Sequence, residues 1–223
     1  TQSALLDEQL AASDLIACGV QAERWGWSLN LEPLRTLTGY RRGNLLRYWL
    51  AQQGLASPEK KHLEQFEAQL LRARADAKSQ VVWGRGAERL SLRVYKQRLY
   101  LLPELEPVMP DHLVSWSVAQ PLVWGGWELR AEPVTKAGRG LLLPATVEVR
   151  ARRGGERCRP VGRNHSQSLK KLLQEAALEP WLREQLPLIY SGDALLAVGD
   201  LWACEGFVDK TAQRYCLSWR RVA

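Results

Sequence analysis

The chain has 223 residues, 46% hydrophobic and 25% charged, which argues against a disordered polypeptide and leaves room for one large core or two small ones. Lysine and arginine outnumber the acids 31 to 24, for a formal charge of +7 and a pI near 9.4, a balance that favours an anionic partner. No apolar run approaches the roughly 20 residues that span a bilayer and no signal peptide opens the chain, so no membrane partner and a cytoplasmic location are expected.

The opening, SALLDEQLAASDLIACG, spaces its leucines at mostly helical intervals and is acidic; residues 1–22 are expected to be a helix linking to something that precedes them. The first residue is a threonine and the only methionine is Met109, so a piece of a longer protein is expected. Trp25 to Leu37 reads as a short extended segment and a helical turn around Pro33. From Tyr40, RRGNLLRYWLAQQG reads as a helix with Leu45, Leu46, Trp49 and Leu50 on its apolar face, ended by Gly54. Ser57 is expected to cap a second helix, with Pro58 in its first position and a stripe of Leu63, Phe66, Leu70 and Ala73. The short loop between them predicts an antiparallel helical hairpin.

After Lys78 the period changes to two, and VVWG, ERLSLRVY and RLYLL predict a small antiparallel meander with a turn at Lys96 and Gln97. This closes a central domain over residues 23–103. Pro103, Pro107 and Pro110 then bracket Glu104 and Glu106 in a linker. A second domain over 111–223 carries strand-like runs, a glycine-rich KAGRG turn and a helix from Leu169 to Ala177. The expected class is α+β: an N-terminal helical hairpin with a small antiparallel meander, followed by a mixed-sheet α/β C-terminal domain.

Charge is concentrated between Arg150 and Lys171, where eight basic residues face one acid, Glu156; that surplus of seven equals the net charge of the chain. Lys170 and Lys171 fall in the first turn of the 169–177 helix, where the macrodipole disfavours cations unless an anion sits there. With Arg153, Arg157 and Arg163 upstream they are read as a phosphate-tracking surface rather than a solvated charged face. Most of the ten tryptophans, such as Trp49, Trp83 and Trp116, alternate with strand residues or fill helix faces and are expected in the core. Cys18, Cys158, Cys204 and Cys216 form no CxxC pair, and His62, His112 and His165 have no ligand spacing; reduced, partly buried cysteines and no metal site are expected. His165 beside Ser166 and Ser168 lacks an orienting acid at recognisable spacing, and the glycine-rich stretches lack phosphate-loop spacing, so no catalytic residues are assigned.

RRGNLLRYWLAQQGL in the first half and VGRNHSQSLKKLLQEAALEPWLREQLPLIYSGDALLAV in the second resemble, in order, the C-terminal half of bacterial tRNA(Ile)-lysidine synthases. The LKKLLQE, PWLRE and LPLIY succession carries most of the resemblance. The family's N-terminal ATP pyrophosphatase domain, with its SGGxDS loop, has no counterpart in this chain. The resemblance implies an ATP-dependent ligase of tRNA modification that adenylates the wobble cytidine of isoleucine tRNA and attaches lysine, changing codon reading from AUG to AUA. It implies that residues 1–22 link to the catalytic domain, and that the two domains here grip the acceptor stem and body of the tRNA. Lysine, ATP and magnesium would then act only through the other domain, with no cofactor in this chain. Lys170 and Lys171 match the family's paired lysines, Arg163 its basic residue in the VGRN run, and Arg41, Arg42 and Arg47 the basic helix of the central domain. The chain alone is expected to be inactive, and homodimerisation is left open. A non-enzymatic module whose basic strip binds an acidic protein is the alternative.

Overall fold

The first helix, α1 (Gln2–Cys18), packs by its small residues: Ala11, Asp14 and Cys18 are buried, whereas Leu5, Leu6, Leu10 and Ile16 are exposed, Ile16 to 81%. The computed structural model describes residues 2–70, 80–104, 106–134, 140–205 and 213–221. The chain divides into two compact units, Thr1–Glu104 and Leu105–Ala223.

In the first unit, the hairpin of β1 (Gln21–Glu23) and β2 (Gly26–Asn30) follows α1. Gly26 has φ +143°, and a Cβ there would stand 2.1 Å from the Leu101 carbonyl oxygen, so only glycine lets the neighbouring strand approach. Asn30 caps α2 (Leu31–Thr36) by accepting from the Glu32 amide at 3.1 Å. Thr38 caps α3 (Gly39–Gln52), whose expected apolar face, Leu45, Leu46, Trp49 and Leu50, is at most 1% exposed. The next helix, α4 (Lys60–Gln65), starts two residues beyond the expected Ser57–Pro58 signal. Its cap is Glu59, and His62 Nδ1 accepts from the Glu59 amide at 3.2 Å to complete a capping box. It continues as one π-helical turn, Phe66–Leu70. Ala73 and the side chain of Leu70 lie outside the described residues.

The expected meander is β3 (Gln80–Trp83), β4 (Leu90–Tyr95) and β5 (Arg98–Pro103). Lys96 and Gln97 turn β4 into β5 with φ of +44° and +60°, the two left-handed residues that a tight two-residue hairpin requires. The β1–β2 hairpin extends the meander to five antiparallel strands in the order β1-β2-β5-β4-β3. Its apolar face and α3 share one core of Leu29, Leu45, Trp49, Phe66, Leu92 and Leu101 with their neighbours. Cys18 joins it, its thiol pushed up to about 11 by burial and by the charge of Asp14.

The second unit contains β6 (Leu113–Ser117), β7 (Leu122–Trp124), β8 (Trp127–Pro133), β9 (Leu141–Leu143) and β10 (Thr146–Arg150). The short pair β11 (Arg157–Cys158) and β12 (Gln167–Ser168) leads into α5 (Leu169–Glu175) and α6 (Pro180–Arg183). Four strands finish it: β13 (Leu188–Ser191), β14 (Ala194–Val198), β15 (Trp202–Ala203) and β16 (Gln213–Arg221). They form a five-stranded sheet, β15-β14-β13-β10-β6, a four-stranded sheet, β7-β8-β16-β9, and the β11-β12 ribbon.

The class is α+β as expected, with one correction. Every pairing among the described strands is antiparallel, where a mixed sheet had been anticipated in the second unit. A parallel pair needs a crossover connection of a dozen or more residues, usually helical, and here α5 and α6 link the separate β11-β12 ribbon to the large sheet. The KAGRG turn falls on residues outside the described set except for Gly140. Trp49, Trp83 and Trp116 are buried as expected, and the Trp124 and Trp116 indoles donate to the Gln185 and Gln120 carbonyls at 3.0 and 2.7 Å.

Candidate nucleic-acid interface

The basic helix of the first unit spends two of its three candidate arginines internally. Arg41 makes a forked hydrogen-bonded pair with Asp14 of α1, a carboxylate only 5% exposed. That partnership raises the Arg41 guanidinium above its ordinary value, first by the hydrogen bond and then by the charge. Arg42 forks onto Glu67 of the π-helical turn at 2.6 and 2.7 Å and also donates to the Leu37 carbonyl. Both therefore bolt α3 to its neighbours. Arg47 is different: it is exposed and makes no hydrogen bond or ion pair among the described residues. It lines an open cleft of about 680 Å³ between α3 and the α4 turn.

In the second unit the eight cations of 150–171 lie on a hairpin, a loop and the start of α5. Arg150 pairs with Glu148 at 2.9 Å, donates to the Gly192 carbonyl and lies 4.3 Å over the Tyr190 ring. Arg152 stands 3.7 Å from Glu156, whose other oxygen accepts the amides of Arg153 and Gly154 and so closes the Gly-Gly turn. Arg153 reaches Asp111 at 3.2 Å with both side chains exposed. Arg157 donates to the Ser166 carbonyl across the ribbon at 2.9 Å. Arg159 pairs with Glu205 at 3.0 Å, and Glu205 also accepts the Gly162 amide. Glu175 takes both Arg163, at 2.7 Å, and Lys171, at 3.9 Å. Its carboxyl is held below the usual range, chiefly by the Arg163 hydrogen bond. Lys170 is exposed and has no ion pair among the described residues.

The surplus of seven charges counted along the sequence is therefore smaller in space, because Asp111, Glu148, Glu175 and Glu205 lie outside the counted window and fold against it. Glu175, one turn after Lys171, has the i, i+4 spacing that could have revealed it. No local signal could have revealed Glu205, which arrives from the far side of β14. The start of α5 is also less open than its dipole suggests. The Ser168 hydroxyl accepts the Lys171 amide at 3.4 Å, and the Leu169 amide donates to the Glu156 carbonyl at 2.8 Å. What Lys170 and Lys171 offer a phosphate is their ammonium groups rather than the helix end.

The cysteines correct a second expectation. Cys158 and Cys204 form a disulfide with Cα atoms 5.7 Å apart, where reduced thiols had been expected. The backbone brings them together: residue 204 bridges Pro160, Val161 donates to Ala203 at 3.0 Å, and Glu205 donates to Arg159 at 2.7 Å. The disulfide, Arg157, Arg159 and His165 line a second open cleft of about 480 Å³. Among the described residues His165 has no hydrogen-bonded acid or serine, and Ser168 is occupied as a cap. No group of three His, Cys, Asp or Glu among the described residues could hold a metal ion.

Both units match known substrate domains. Residues 29–100 match the family model described as the TilS substrate binding domain, and residues 147–219 the one described as the TilS substrate C-terminal domain. A protein called tRNA(Ile)-lysidine synthase from Coxiella burnetii is 37% identical over 94% of this chain and 45% of its own length. Proteins of the same name from Xylella fastidiosa and Serratia proteamaculans are 35% and 32% identical over 86% and 99% of the chain, and 44% and 49% of their own lengths. The chain thus spans about half the length of the curated relatives it matches. It belongs to the tRNA(Ile)-lysidine synthase family.

Proposed function

We propose that this chain is the part of a tRNA(Ile)-lysidine synthase that grips and selects isoleucine tRNA, while adenylation of the wobble cytidine and attachment of lysine take place on another domain. The observation that carries the reading is a set of solvent-facing cations on each unit, Arg47 on α3 and Arg153, Arg157, Arg163, Lys170 and Lys171 around α5, with no nucleophile–base pair among the described residues. Arg41 and Arg42 support such a surface indirectly, by fixing the helix that presents Arg47. No chemical step is assigned to the described residues.

Binding of this kind is dominated by phosphates and falls steeply with salt. RNA shape and the geometry of the acceptor end would supply selectivity. Gel-shift titration of the chain with isoleucine tRNA and elongator methionine tRNA at two salt concentrations tests it. The expected result is preferential, salt-sensitive binding of the isoleucine tRNA. Absence of any complex at low salt, or a complex insensitive to the combined Lys170→Ala and Lys171→Ala substitutions, overturns it.

A further inference from the structure

The cleft beside Arg47 has a chemistry that a row of backbone phosphates does not use. Its volume, about 680 Å³, is that of an ordinary small-ligand site, roughly 300–1,000 Å³. Half-buried Leu63 gives it an apolar floor, backed by the buried Leu46 and Phe66, and the π-helical turn that carries Phe66 and Glu67 forms one wall. Such turns recur at functional sites because they re-aim side chains out of helical register.

Tyr40 stands at the cleft with 65% of its surface exposed. Its hydroxyl donates to Asp7 at 2.9 Å, which pins the edge of the ring and leaves the rest open. Arg47 and Lys60 supply charge. Arg47 has no ion-pair partner among the described residues, and Lys60 has only an exposed contact with Glu64 at 3.8 Å, a kind of pair that contributes little in water. An aromatic face, an apolar floor and two available cations within one concavity match a flat heterocycle carrying a phosphate. A duplex presents a convex, uniformly charged backbone and would leave that floor uncovered.

We propose that this cleft receives one unstacked RNA nucleotide, with its base against Tyr40 and Leu63 and its phosphate on Arg47 and Lys60. The proposal rests on the RNA-binding reading above and names the part of the RNA that the first unit takes. Gly43 offers a direct way to test it. A Cβ there would meet Leu63 Cδ1 at 3.8 Å and Arg47 Nη1 at 3.5 Å, both ordinary contacts, so a larger side chain would grow into the cleft without removing either cation.

The experiment measures binding of the full chain to a fluorescein-labelled single-stranded RNA heptamer, to a blunt RNA duplex of the same strand length and to isoleucine tRNA. Gly43→Leu and Tyr40→Ala are each expected to weaken the heptamer complex about tenfold and leave the duplex complex within about twofold. Tyr40→Phe, which keeps the ring and loses only the Asp7 tie, should stay within about threefold of wild type. No heptamer binding, equal losses on heptamer and duplex, or wild-type heptamer affinity in Gly43→Leu and Tyr40→Ala would each overturn the proposal. The two readings fail separately. A chain that binds the heptamer through the cleft but not the tRNA loses the tRNA assignment alone, and one that binds the tRNA with an indifferent cleft loses only the nucleotide site.

Discussion

The two units hold their basic segments in opposite ways. In the first, ion pairs fix the segment: Arg41 reaches a carboxylate on the buried face of α1, Arg42 forks onto the π-helical turn, and Arg47 is left outside. In the second, the segment is held by a disulfide, a β-bridge and backbone hydrogen bonds to residues 203–205, while the cations themselves meet mostly exposed acids. Identical residue types therefore serve different ends: in the first unit each pair has one sheltered member, Asp14 beneath Arg41 and Arg42 itself over Glu67, whereas Arg153 and Arg163 meet their acids with both side chains exposed. A pair cut off from water makes structure, because breaking it strands a charge. A pair in water stays close to neutral in energy and can be exchanged for a phosphate.

The largest effects should appear where each segment is anchored. Replacing Cys158 with serine opens a loop of 46 residues and is expected to lower the stability of the oxidised protein by about 3 kcal/mol. Urea unfolding with and without reductant checks this: the difference between variant and wild type should vanish under reduction. Arg41→Ala leaves Asp14 buried without its partner. Because Arg41 is 43% exposed, the cost should fall well short of that of breaking a fully buried pair. The urea midpoint should fall while RNA affinity at a temperature where the variant is folded stays unchanged. If affinity falls with no loss of stability, Arg41 belongs to the binding surface and the contrast between the units is wrong.

The sequence made the local features of the fold readable. The 3.6-residue period of α3, the two-residue period of β4 and β5, and the Lys96–Gln97 turn are set by neighbours a few positions apart. Their outcome needs no knowledge of the rest of the chain. What the sequence concealed is non-local. The helix α1 leaves Leu5, Leu6 and Leu10 outside while Ala11, Asp14 and Cys18 are buried, and the forked pair with Arg41 on α3 makes a buried aspartate tolerable. The charge of the 150–171 window was overstated because Glu205 and Asp111 come from distant positions. The antiparallel order of the second unit depended on which short connections would be hairpins. The division of the candidate cations into paired and unpaired members was not legible, because their acidic partners lie elsewhere in the chain.

The next effect concerns the available members. The combined Lys170→Ala and Lys171→Ala substitutions should weaken tRNA binding at low salt and reduce the slope of log affinity against log salt by about one unit for each lysine in contact with a phosphate. Stability should hardly change, since neither lysine has a buried partner. A stability loss as large as that of Arg41→Ala would erase the distinction between the two units.

Glu175 gives the smallest and most discriminating effect, because removing it should improve binding. It occupies both Arg163 and Lys171 in an exposed pair, so Glu175→Gln should release two cations and tighten tRNA binding about threefold at low salt. The gain should fade as salt screens the surface. Proton titration offers a second test of the same pairing. The folded Glu175 carboxyl lies below its usual range, so the stabilisation from its pairing is complete above the ordinary carboxylate value and is lost as pH falls through the depressed one. Across that acidic window wild-type affinity should rise towards that of Glu175→Gln, and the variant should show no matching rise. Parallel pH profiles for the two proteins would mean that Arg163 and Lys171 remain free to meet phosphate even while Glu175 is ionised.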